Sequence, residues 1–289
     1  MRAVRHGLAV AAAMWAGLSA QGGAGVPALA EMREALGGDA ALLTIESFVL
    51  SGTQTRIADV GPPINRRVEI GCQLPDKYLR TYTVMRPTRA PNGSTYVGPG
   101  GSSFEGLSVD VPIRGSRDAA GRPNATFVAS PASPEEVERR MTLVARGYRQ
   151  EFARLTLPLL GASFSGYSLE LKYLGREARD DQQVDVVEAV APDGFTARLF
   201  IDAGTHLPIA ISWSAIPSIV ITTGRASVRG GPSAPVEHAM LFSDFRAERG
   251  VKWPRAIREY AGMRLIQETR IEKVVFNPKL PPGYFSAPE

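Results

Sequence analysis

The chain is poor in the residues that carry most enzyme chemistry. Its 289 residues include one cysteine and three histidines. The single cysteine, Cys72, excludes an internal disulfide. It lies far from the start of the chain, so it is not a lipidated N-terminal cysteine. It sits on the alternating run Val68, Ile70, Cys72, Leu74 and reads as a small buried hydrophobe. His206 and His238 have no metal-like partner at i+2, i+3 or i+4. There is no G-x-S-x-G elbow. The paired acids Asp180-Asp181 and Glu135-Glu136 fall in a polar turn and in a helix's first turn, where the dipole favours negative charge. No catalytic set, metal site or cofactor site emerges, and the chain is not expected to be an enzyme.

Dense basic clusters are missing too. The net charge is +4, and removal of Arg2 and Arg5 with a leader leaves +2. No Lys/Arg patch carries interleaved aromatics, so nucleic acid is not an expected partner. After the N-terminus no run approaches the roughly 20 apolar residues of a transmembrane helix.

The N-terminus reads as a secretory signal peptide. Arg2 and Arg5 form a basic n-region, and Gly7 to Ala20 is an apolar run too short to span a bilayer comfortably. Cleavage is expected near Ala20 to Ala24, which assigns residues 1–24 to the leader; Ala30 and an uncleaved anchor are the alternatives. The mature protein is then expected to be periplasmic, soluble and not lipidated. Leu29, Met32 and Leu36 share one helix face behind Pro27, and Gly37-Gly38 ends that helix.

Beyond that helix, alternation dominates the chain. Phe195, Ala197, Leu199 and Ile201, then Ile209, Ile211 and Trp213, alternate with polar residues and predict strands with one apolar face. Early strands are expected at 46–57, 65–73 and 77–85. Phe48 and Leu50 share a face on the first, and Tyr78, Tyr82 and Val84 on the third. Later strands are expected at 168–174, 184–190, 195–201, 207–213, 218–223, 237–245, 251–260 and 263–276. Turns such as Pro192-Asp193-Gly194 and Glu248-Arg249-Gly250 join them. Strand after strand without intervening helices predicts one antiparallel sheet of about 10–11 strands.

Two stretches interrupt this pattern. From Pro87 to Ser130 glycine, proline, serine and arginine dominate, which predicts a flexible insertion with short strands at 94–97 and 127–129. Ser133, Pro134 and Glu136 form a helix start with a capping box. The helix is expected to run to Leu157, where Pro158 stops or kinks it. Val137, Met141, Val144, Tyr148, Phe152 and Leu155 form its apolar stripe. That stripe serves either as ordinary packing on the sheet or as a lid that lifts from it.

Three segments carry a family resemblance. Leu199 to Trp213, LFIDAGTHLPIAISW, resembles the strand-turn-strand of the LolA-like periplasmic lipoprotein-sorting proteins. Phe242 to Tyr260 resembles that family's later hairpin, and Val274 to Pro288 its terminal strand and tail. The order helix, strands, long helix, strands is also similar. The resemblance implies an α+β fold over residues 25–289: an open half-barrel of antiparallel sheet with helices on its concave face. It implies a non-catalytic carrier of lipoprotein acyl chains or other lipid-like ligands, together with envelope proteins that load or receive cargo. The expected apolar cavity comprises Phe48, Leu50, Tyr78, Tyr82, Val84, Leu199, Ile209, Ile211 and Trp213, with Met141, Tyr148 and Phe152 as the lid. The alternative is an envelope interaction or sensor module whose half-barrel is permanently filled.

Overall fold

The computed structural model describes residues 26–57, 61–89, 95–109, 111–120, 122, 133–179, 181–215 and 234–286. The expected leader, and the strands expected at 127–129 and 218–223, lie outside the described residues. Among the described residues no helix is long and apolar enough to cross a membrane.

Two short helices open the fold, α1 (Pro27–Leu36) and α2 (Asp39–Leu42). Strands β1 (Ser47–Arg56), β2 (Ile64–Gln73), β3 (Lys77–Arg89), β4 (Thr95–Ser108) and β5 (Val111–Arg117) follow. Helix α3 (Pro134–Leu160) comes next. Then come β6 (Glu170–Arg179), β7 (Gln182–Val190), β8 (Thr196–Asp202), β9 (Pro208–Ala215), β10 (Val236–Glu248), β11 (Val251–Ala261) and β12 (Arg264–Phe276). All twelve strands form one antiparallel sheet in the order β5-β4-β3-β2-β1-β12-β11-β10-β9-β8-β7-β6. Each strand pairs with its sequence neighbour, except that α3 separates β5 from β6 and β1 pairs with β12. The two meanders are thus sewn together by the first and last strands, and edges β5 and β6 stay unpaired with each other. The sheet is an open half-barrel with helices on its inner face.

Within 87–130 the described residues 95–117, residue 110 apart, depart from expectation. All of β4 and β5 lie there, β4 paired with β3 (Tyr78↔Leu107) and with β5 (Leu107↔Pro112). Glycine, proline and serine blur the two-residue period that marks a strand. The β3–β4 register breaks between Thr83 and Met85, and Met85 resumes pairing at Pro99, beyond Gly100 and Gly101. A bulge accommodates residues that a regular ladder does not.

Helix α3 begins as its sequence predicts, with the Glu136 amide donating to Ser133 Oγ at 3.2 Å. It does not stop at Pro158. The helix reaches Leu160, and Gly161 caps it at φ 60° with its N–H on Leu157 O at 2.8 Å. Proline this near the C-terminus removes only one bond of the final turn.

The core lies between the inner sheet face, α1 and the second half of α3. Leu29, Met32 and Leu36 of α1 are fully buried, as are Leu157 and Leu159 of α3. Trp253 is the largest fully buried side chain. Phe48 and Phe276 meet its ring edge-on at 5.1 and 5.3 Å. Burial of side chains this size contributes about 1.5–3 kcal/mol each.

Candidate functional site

The inner face of the sheet changes character along its strands. On β1, Phe48 and Leu50 are buried in the core, and the same face continues to Gln54 and Arg56. On β2 it runs from Cys72, Ile70 and Val68 to Arg66 and Ile64. On β12 it runs from Phe276, Val274 and Ile271 to Thr269 and Gln267. The register aligns these changes, since Phe48 pairs with Cys72 and Phe276, whereas Gln54 pairs with Arg66 and Thr269. A bulge on β12 opposite Ser51 and Gly52 keeps Ile271, Thr269 and Gln267 on the inner side. One end of the sheet is therefore an apolar packing surface and the other a polar one.

A cavity of about 720 Å³ lies at the polar end. Residues of α3, of β1 to β5 and of β10 to β12 line it. Six arginines, Arg56, Arg66, Arg80, Arg114, Arg154 and Arg264, face three glutamates, Glu105, Glu151 and Glu259. Between them stand Ile57, Ile64, Ile70, Leu155, Met240, Ile257 and Ile266, with Tyr78, Tyr82 and Phe104. The lining is amphiphilic with a cationic excess, where the sequence predicted apolar groups alone.

The charges are arranged unequally. Arg80 Nη2 lies 2.8 Å from Glu105 and 3.1 Å from Glu151 of α3. Burial opposes its charge, but these carboxylates outweigh it and hold the guanidinium well above its ordinary pKa. Arg154 lies over Trp213 at 4.2 Å, and burial pulls its pKa down. Burial pushes Glu259 up, with Arg154 and Arg80 opposing.

The expected cavity residues divide. Tyr78 and Tyr82 line the cavity. Phe48, Leu50, Leu199, Ile211 and Trp213 belong to the filled core. Val84 is half-buried and outside the cavity lining. Ile209 falls where the β8–β9 register skips between Phe200 and Ile201, and it packs with Val184, Val186, Phe200 and Ala210 instead of the main core. The extra residue breaks the alternation on which its expected facing rested. On α3, Met141 is 44% exposed and is not part of the buried core. Tyr148 packs on Leu107 of β4, and Phe152 meets Phe164 edge-on at 6.0 Å. The cavity receives Glu151, Arg154 and Leu155 from that helix.

Cys72 is fully buried and desolvation raises its thiol pKa, in keeping with a packing role. His238 stacks on Trp213 at 5.5 Å, and burial lowers its pKa. Glu31, Asp185 and His206 bring their donor atoms within 4.8 Å of one another, the one such trio among the described residues. Asp185 already accepts from Arg176 at 3.0 and 2.8 Å and from Tyr173 at 2.7 Å. A cation there would have to displace a guanidinium, so the trio does not fit a metal.

No family model matches the sequence, and no curated protein matches it. Several solved structures are similar. An outer membrane lipoprotein-sorting protein domain from Vibrio parahaemolyticus is 11% identical, over 83% of this chain and 88% of that one, with a TM-score of 0.45. A LolA superfamily protein from Nitrosomonas europaea is 13% identical over 90% and 96%, with a TM-score of 0.45. A DUF1329 family protein from Desulfovibrio piger is 11% identical over 90% and 96%, with a TM-score of 0.43. The chain is distantly similar to LolA-superfamily and lipoprotein-sorting structures, the family its sequence resembles.

Proposed function

We propose that the protein is a non-catalytic, periplasmic binding protein that carries a lipid-like amphiphile, lipoprotein acyl chains included, between α3 and the sheet. One observation carries this reading: the cavity of about 720 Å³ sits where the inner face passes from apolar to polar. Its size falls within the range of small-molecule sites, roughly 300–1,000 Å³. Isoleucines and Leu155 offer a surface for a chain, and the arginines a surface for a polar head. Catalysis is no part of the reading, because Arg80, Glu105 and Glu151 are committed to one another.

The second reading is an envelope interaction or sensor module. The filled apolar end favours it, since Leu29, Met32, Leu157 and Leu159 already occupy the space where acyl chains would lie deepest. Native mass spectrometry of the protein purified from its own envelope separates the two. The carrier reading expects a co-purifying lipid released by organic solvent. Lipid-free protein bound to a tight protein partner contradicts it and favours the module.

A further inference from the structure

Arg66 differs from Arg80, a buried guanidinium on the same cavity wall. Arg80 meets two carboxylates, whereas Arg66 meets none among the described residues. Its Nε donates to Gln54 Oε1 at 2.7 Å, and its Nη2 reaches Gln267 Oε1 at 3.4 Å. The guanidinium carbon stands 3.4 Å from the centre of the Tyr82 ring. Among the described residues Nη1 has no acceptor. Gln54 is itself fixed by its Nε2 donating to Thr269 Oγ1 at 2.8 Å. The fork is thus held in place by neutral oxygens and an aromatic face, with donors left over. Burial lowers its pKa, with Arg80 and Arg56 adding to the fall and Tyr82 and Glu105 opposing it. A partly desolvated cation whose hydrogen bonds go to neutral oxygens gains from an anion brought to its remaining donors.

We propose that Arg66 recognises an oxyanion, phosphate or carboxylate, on the head of the bound amphiphile. This rests on the binding reading above and names the class of ligand. A planar guanidinium accepts such a group in a two-point contact that an ammonium does not reproduce. Arg56, on the adjoining strand of the same wall, adds positive potential toward the head. Ile64, Ile70, Ile257 and Leu155 line the same cavity for the chain.

The test is calorimetric titration of the full-length mature protein with amphiphiles of one acyl length. The probes are lysophosphatidylglycerol, lysophosphatidylcholine, monoacylglycerol and inorganic phosphate. Wild type is expected to bind the anionic lysolipid about tenfold or more tighter than the neutral glyceride, the scale of a charge-assisted hydrogen bond. Arg66→Gln is expected to erase that preference while leaving monoacylglycerol affinity within about twofold. Arg66→Lys keeps the charge without the fork and is expected to recover only part of it. Thermal unfolding of each variant establishes that it is folded. Equal affinities for the three lipids, or a preference that survives Arg66→Gln, overturns the assignment while the binding reading stands. Inorganic phosphate binding as tightly as the lysolipid overturns the head-group source. Failure of every lipid to bind overturns the binding reading itself.

Discussion

Arg80 on β3 and Glu151 on α3 meet at 3.1 Å inside the cavity, and they tie the helix to the sheet. Both side chains are largely buried, at 17% and 25% exposure. Removing Glu151 leaves Arg80 with Glu105 alone. Glu151→Leu is therefore expected to destabilise by on the order of 1–3 kcal/mol. The Arg80→Leu/Glu151→Leu double variant should cost less than the sum of its singles by about 0.5 kcal/mol or more. Urea unfolding of the four proteins measures this, and additive costs would show that the pair does not hold α3.

Trp253 fills the junction between β1, β11 and β12, fully buried against Phe48 and Phe276. Trp253→Ala should cost about 3–5 kcal/mol. Its Nε1 has no hydrogen-bond partner among the described residues. Trp253→Phe forfeits no such bond, so its urea midpoint should fall much less than that of Trp253→Ala. Equal losses would mean that the indole N–H matters more than the packing.

Gly52 lies at the bulge that joins the two meanders. A Cβ there would stand 1.9 Å from Arg270 O, on backbone that cannot swing aside. Gly52→Ala should destabilise by about 1–3 kcal/mol through overpacking. The variant should also lower protection of the β1 and β12 amides in hydrogen exchange before that of β7 and β8. Uniform loss of protection would contradict a local seam.

Glu259 supplies the pH dependence. Burial raises its folded pKa above the ordinary 4.5, against the pull of Arg154 and Arg80, while Glu151 adds to the rise and Arg56 opposes it. Well below pH 4.5 the group is neutral in both folded and unfolded chains, and the fold incurs no cost. As pH rises through the raised pKa, the unfolded chain ionises first and stability is lost. Wild type should therefore lose stability relative to Glu259→Gln as pH rises from 4.5, and then level off. Parallel stability-pH curves for the two proteins would contradict this. Protonation also makes the cavity more cationic, so binding of an anionic amphiphile should tighten as pH falls through the same window.

The fold was legible because apolar alternation is strong on β1, β2 and β7 to β12. It failed where the period is blurred, in glycine- and proline-rich β4 and β5. At Ile209 it failed because a bulge adds a residue no pattern marks. The charged cavity was hidden for a simpler reason. Apolar residues advertise an inner face, and charged residues on that same face do not. The two-residue step that links Cys72, Ile70 and Val68 leads next to Arg66, and Arg80 stands between Tyr78 and Tyr82. Those positions lie on the inner face, although their charge points by default to solvent. On α3, Glu151 and Arg154 flank Phe152 and Leu155 one position off the apolar stripe, so one helical face serves both packing and cavity.

The most direct test of the account is photo-labelling with a diazirine fatty acid, followed by peptide mapping. The cavity account predicts label on α3 at 151–155 and on β3 at 78–82, suppressed by excess unlabelled fatty acid. Label confined to surface peptides, or unaffected by competitor, would contradict it.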